Sequence, residues 1–62
     1  MPLYSIGTEI YLKCNPFIKE QVRRVVTDKG GQHWYYTVVL TGSHAGKLRN
    51  IGLAEHEVAA GA

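Results

Sequence analysis

The residues predict an all-β fold, a single small soluble domain of short antiparallel strands around one core. Three observations carry that expectation. His33 to Leu40 alternates with period two and is crowded with the aromatic and β-branched residues that pleated surfaces favour. Gly30-Gly31 stands just before it as hairpin-turn chemistry, joining it to the β-branched run Val22 to Thr27. At 62 residues the chain is too short for a dinucleotide-binding fold or a multi-repeat solenoid. A domain of this size buries only roughly 60% of the surface its unfolded chain exposes, so its core is small and its stability margin thin.

The elements follow in order. Thr8 to Lys13 alternates, with Ile10 and Leu12 on one face and Glu9, Tyr11 and Lys13 on the other, which predicts a half-buried strand. Asn15-Pro16 is expected to break it. The stretch Asn15 to Lys29 admits two readings. Phe17, Ile18, Val22, Val25 and Val26 recur at helical spacing, with Asn15 as N-cap and Gly30 as stop. The alternative, preferred for its stiff β-branched residues, is a loop through Phe17 to Glu20 and then a strand from Gln21 to Thr27, bent at Arg23-Arg24. In His33 to Leu40, Trp34, Tyr36, Val38 and Leu40 share one face, taken as the core face. After the turn Thr41-Gly42-Ser43, Lys47 to Ile51 reads as a further strand and Leu53 to Val58 as one 3₁₀ turn. Ala59 to Ala62 is expected to fray. The predicted core is Ile6, Ile10, Leu12, Val22, Val25, Tyr36, Val38, Leu40, Leu53 and Val58.

Composition narrows the function classes. Cys14 is the only cysteine, so disulfide scaffolds are excluded, and a lone free cysteine is expected to act as a small buried hydrophobe. The opening residues lack the charged and apolar regions of a signal peptide, which makes the cytoplasm the expected compartment. No apolar run reaches the length of a membrane span, so no membrane insertion is expected. A net charge of +2 permits nucleic acid as a partner without demanding it.

The order of motifs is informative as a set. Ile6-Gly7-x-x-Ile10-x-Leu12-Lys13-x-x-Pro16 is followed by Val22-x-x-Val25, by Gly30-Gly31-x-x-Trp34-Tyr35-Tyr36-x-Val38 and, past Gly42, by Leu53-x-Glu55-x-Glu57-Val58. Across nearly its whole length the chain resembles the small five-stranded antiparallel barrels of the Src-homology-3-like class. Among these are modules fused ahead of bacterial helicases, KOW-type nucleic-acid modules and the photosystem I E-subunit group, which the ending Ala54 to Val58 resembles most. The chain departs from such barrels in carrying Glu20 where a glycine commonly precedes the second strand. The resemblance implies a barrel of five strands with one 3₁₀ turn near the C-terminus. It selects no single function, because small barrels host many.

Chemistry-bearing constellations are sparse. His33, His44 and His56 are far apart and distant from Cys14, unlike the paired ligands of a zinc site, so no metal or cofactor is expected. Ser43-His44 lacks an orienting carboxylate, and Glu55 and Glu57 lie on a surface turn. The expectation is a non-enzymatic module. An enzyme assembled from several small barrels, like the plasmid-borne dihydrofolate reductases, is disfavoured because their Val-Gln-Ile-Tyr strand is missing. The remaining signal is basic and aromatic. Arg23, Arg24 and Arg49, with Tyr11, Trp34 and Tyr35, are the candidate binding residues, combining phosphate-holding cations with stacking surfaces. Arg23 and Arg24 are adjacent, so a bulge between them is needed to turn both outward. Arg49 is expected to point outward and to be dispensable for the fold. The partner is expected to be nucleic acid, or alternatively a larger protein on which the chain docks as an accessory subunit.

Overall fold

The computed structural model describes residues 1–60. Five strands, β1 (Glu9–Leu12), β2 (Asn15–Thr27), β3 (His33–Val39), β4 (Leu53–Ala54) and β5 (Val58–Ala60), form one antiparallel sheet in the order β4-β3-β2-β1-β5. No α-helix occurs among the described residues. The two edge strands, β4 and β5, are separated in sequence only by a 3₁₀ turn, Glu55–Glu57. So short a link forces the sheet to curl until its edges come near each other. Among the described residues no ladder joins those edges, so the sheet is curled around its core but not closed into a barrel.

The long central strand settles the ambiguous stretch. Residues 15–27 are extended throughout, not helical, and the loop expected over Phe17 to Glu20 is strand as well. Asn15-Pro16 does not break the structure; it opens β2 directly after the tight Lys13-Cys14 turn. The register explains how proline is accommodated. Tyr11 faces Lys19 while Leu12 faces Asn15, so Pro16, Phe17 and Ile18 oppose nothing on β1 and no ladder bond is asked of the proline nitrogen. Cys14 is exposed at this turn rather than buried.

A second irregularity lies farther along β2. Val22 faces Thr37 and Arg24 faces Tyr36, leaving Arg23 as the extra residue of a bulge. The extra residue resets the alternation. Val22 points into the core, both arginines are exposed, and Val25 still packs against the core.

On β3 the expected faces are reversed. Tyr35, Thr37 and Val39 are buried, whereas Trp34, Tyr36 and Val38 are half-buried on the other side, and Leu40 lies exposed beyond the strand. The polar member of the inward set explains the reversal. Thr37 donates its hydroxyl to the Glu20 carboxylate, which is itself 1% exposed, so the apparently solvent-suited face is the one with a buried acceptor to satisfy.

The core is Ile10, Val22, Tyr35, Leu53 and Val58, with Tyr4, Leu12 and Val25 packed against it. Ile6, expected there, is exposed. Tyr35 takes the centre and meets Tyr4 edge-on, ring centroids 5.5 Å apart. Its hydroxyl donates to Glu55 and accepts from the Leu3 and Tyr4 amides, fastening the N-terminal segment to the 3₁₀ turn. Burial, and then the bond to Glu55, raises the Tyr35 phenol above its ordinary value.

The last third of the chain holds three further differences from expectation. Lys47 to Ile51 is not a regular strand: only Leu48 bridges to Val38, although the Val39 and Arg49 amides still exchange bonds with this segment and with β3. Gly52 passes so close to β3 that a Cβ there would lie 3.0 Å from that of Trp34, which is why the chain enters β4 through a glycine. The 3₁₀ turn spans Glu55–Glu57, and the Glu57 carboxylate accepts from the Ala54 amide at its start. The tail expected to fray is ordered through Ala60, because Val58, Ala59 and Ala60 pair with Leu12, Tyr11 and Ile10. Residues 61 and 62 lie outside the described residues.

The face assignment is open to test by paired substitutions. Val22→Ala is expected to cost about 2 kcal/mol, through lost burial and the cavity left behind. Val38→Ala, on the half-buried side, is expected to cost under about 1 kcal/mol. Chemical denaturation of the two variants measures the difference, and equal losses would contradict the assignment.

Candidate functional site

Three of the six candidate residues come together. Arg23, Arg24 and Arg49 line one surface depression of about 330 Å³, with Tyr36, Leu48 and Asn50. The bulge on β2 supplies the first two. Arg24 and Tyr36 are cross-strand partners, and the guanidinium lies 4.7 Å from the ring centroid, so Tyr36 forms an aromatic floor under a cation. The segment after β3 supplies Leu48, Arg49 and Asn50 as the opposite wall.

The other three candidates lie elsewhere. Tyr35 is fully buried and offers no surface, contrary to its expected outward direction. Trp34 is half-buried, and its indole N–H donates to Asp28 Oδ2 at 3.1 Å. Asp28 Oδ1 accepts from the Gly30 and Gln32 amides at 2.9 and 3.0 Å, so the carboxylate clasps the β2–β3 turn and fixes the indole beside it. The indole bond, followed by the turn amides, holds Asp28 below the usual carboxylate range. Tyr11, half-buried on β1, pairs with Lys19 and Ala59 and does not line the depression.

Arg49 differs from its two companions in being engaged. Its Nε donates to Glu20 Oε1 at 2.6 Å and its Nη2 to Oε2 at 2.8 Å, a two-point pair. Thr37 donates to Oε1 at 2.6 Å. Burial pushes the Glu20 carboxyl up, but the bonds from Arg49 and Thr37 and the charge of Arg49 outweigh it and hold the group below its ordinary value. Arg49 is accordingly raised, chiefly by the bond to Glu20. The expectation that Arg49 points freely outward and is dispensable for the fold is therefore corrected: its removal strands a buried carboxylate. Among the described residues Arg23 and Arg24 make no salt bridge, and they carry the depression's available positive charge.

A second hollow adjoins the first. A groove of about 270 Å³ is floored by Ile18, Val39, Leu48 and Ile51, with His44 and Lys47 on its lining, and it shares Leu48, Arg49 and Asn50 with the depression. Among the described residues no carboxylate lines either hollow. Among the described residues no group of three His, Cys, Asp or Glu side chains is placed to hold a metal ion, and no helix is long and apolar enough to cross a membrane.

Sequence reasoning missed Tyr36, Glu20 and the groove. Ile18, Glu20 and Val22 recur at a spacing of two, and this alternation was the available sign that Glu20 shares the core face. No protein-family model, curated protein or solved structure matches the chain.

Two predictions follow from the ion pair. Because the folded state holds Glu20 below its ordinary value of 4.5, the stability this gives is complete above that pH and is lost as pH falls through the lower, folded value. Denaturation curves of Glu20→Gln should show lower stability at neutral pH and a weaker loss on acidification, Asp28 retaining its own share, as does Glu55, whose carboxyl the Tyr35 hydroxyl holds below its ordinary value. Arg49→Met alone should cost roughly 2–3 kcal/mol, and Glu20→Met with Arg49→Met should recover part of that cost. A double variant as unstable as the sum of both singles would contradict the coupling.

Proposed function

We propose that this chain is a non-enzymatic nucleic-acid-binding module and that the Arg23-Arg24-Tyr36 depression is its phosphate-contacting surface. The observation that carries the reading is the pairing of two exposed arginines with an aromatic floor in a hollow that no carboxylate of the described residues lines. Arginine forks suit phosphate oxygens, and the Tyr36 ring beneath Arg24 holds that guanidinium in place through a cation–π contact. Arg49 contributes as a held wall, since Glu20 neutralises it. The strand order, with its 3₁₀ turn between the last two strands, supports the Src-homology-3-like small-barrel reading. In this reading the module works in the cytoplasm.

Contacts of this kind are to the backbone, so binding is weakly sequence-selective and salt-sensitive. With two or three phosphates neutralised, the log–log salt slope should be about −2. Fluorescence anisotropy with labelled oligonucleotides at about 50 mM salt tests this, with dissociation constants expected in the micromolar range or weaker. Arg23→Glu with Arg24→Glu should weaken binding at least about ten-fold while the fold is kept, since both side chains are exposed. A double variant that binds as well as the parent, or a parent that binds no oligonucleotide at low salt, would overturn the proposal.

One observation favours the second reading, docking on a larger protein. Phe17 is 90% exposed beside Pro16, at the end of β2 next to the Lys13-Cys14 turn, where an unpaired aromatic suits a protein contact. A parent that ignores oligonucleotides but loses a co-purifying protein on Phe17→Ser would select it.

A further inference from the structure

The two adjoining hollows differ in character, and their combination narrows the kind of nucleic acid. The depression is cationic with an aromatic floor, whereas the groove beside it is apolar across Ile18, Val39, Leu48 and Ile51. Leu48 and Ile51 are 69% and 62% exposed, a large apolar surface left open to water. The groove lies on the inward side of the sheet, where Ile18 and Val39 continue the rows of Glu20 and Val22 and of Tyr35 and Thr37. It is thus an uncovered extension of the core rather than a scatter of surface side chains.

Charge selects the occupant. Lys47 and His44 stand on the groove's lining, the arginines stand in the next hollow, and no carboxylate of the described residues lines either. A ligand that fills both must present a flat apolar body next to a string of negative charge. An unpaired nucleotide does so, with an apolar base face, hydrogen-bonding base edges and a phosphate on either side. A duplex does not, because its bases are stacked and paired out of reach.

Resting on the proposed function above, the geometry points to single-stranded nucleic acid as the ligand, its phosphates held by Arg23 and Arg24 and one base lodged in the Ile18-Leu48-Ile51 groove. Asn50, common to both hollows, and Ser43 and Thr41 on the groove's lining supply hydrogen-bonding groups for the base edge. The arginines set affinity for any phosphate chain, and the groove sets the preference for chains with free bases.

The test compares three labelled probes of about ten nucleotides, a site size ordinary for such modules. They are oligothymidine, a self-complementary duplex, and an abasic strand with the same phosphates and no bases. The parent should bind oligothymidine about ten-fold more tightly than either other probe, the gain given by burying one base face in an apolar groove. Ile51→Ser, at a residue that lines the groove and not the depression, should remove most of that preference and leave the affinity for the abasic strand unchanged. The Ile51 side chain is largely exposed, so the fold should survive, and a retained thermal transition verifies it. Arg23→Glu with Arg24→Glu should instead weaken all three probes together. Equal binding of all three by the parent, still dependent on Arg23 and Arg24, overturns the base-lodging inference and leaves the phosphate-binding reading standing. A preference that persists in full in the Ile51 variant also overturns it, since the base then sits elsewhere. Failure of every probe to bind removes both.

Discussion

A buried carboxylate governs this structure. Glu20 lies in the middle of the central strand, between Ile10 of β1 and Val39 of β3, with 1% of its surface exposed. An ionised group in that position is tolerable only if its oxygens are fully engaged. Thr37 and the two-point contact from Arg49 engage them, and no buried side-chain polar atom among the described residues lacks a partner. Two consequences follow. Meeting Thr37 fixes which face of β3 turns inward, and so puts Tyr36 outside under Arg24. Meeting Arg49 ties the irregular stretch after β3 back onto the sheet, where it becomes the wall between the two hollows. Against a purely apolar alternative such a pair adds little net stability; its effect here is to define one arrangement of strand faces and loop.

The strands were legible wherever alternation and turn chemistry agreed. The Gly30-Gly31 hairpin, the strand at Ile10 and Leu12 and the strand over Gln21 to Thr27 stand as read from the residues, and a 3₁₀ turn does fall within Leu53 to Val58, narrowed to Glu55–Glu57. The faces of β3 were not legible, because both candidate sets contain large residues and the deciding member is a threonine. Its burial depends on an acid seventeen positions earlier in sequence, and no local pattern reports that partnership. The start of β2 was obscured for a different reason. Proline normally ends a strand, but here the partner strand leaves its position unopposed.

The candidate site was legible in its charges and not in its aromatic. Adjacent arginines in a strand must point opposite ways unless the strand gains a residue, so a bulge at Arg23 could be anticipated from the pair itself, and the register contains one. Tyr36 could not be placed without the faces of β3, and Trp34 was misread because its bond to Asp28 crosses a turn. Arg49 resembled the other arginines in sequence and differs from them only through Glu20. The same residue type thus serves as a free cation at two positions and as a structural strut at the third.

The pairing of β1 with β5 bears on how the chain assembles. The β2–β3 hairpin is joined by a short turn and can form locally, whereas β1 meets β5 across nearly the whole length of the domain. Closing so long a loop is entropically unfavourable until other contacts have shortened it, which makes the last ladder the late step of folding. Until it forms, β1 shows an unpaired edge beside Ile10, a side chain that is 1% exposed once folding is complete. During synthesis on the ribosome the hairpins can form early. The core is sealed only when Val58 to Ala60 have cleared the exit tunnel, and a chain stalled before that point carries an adhesive strand edge in place of a finished sheet.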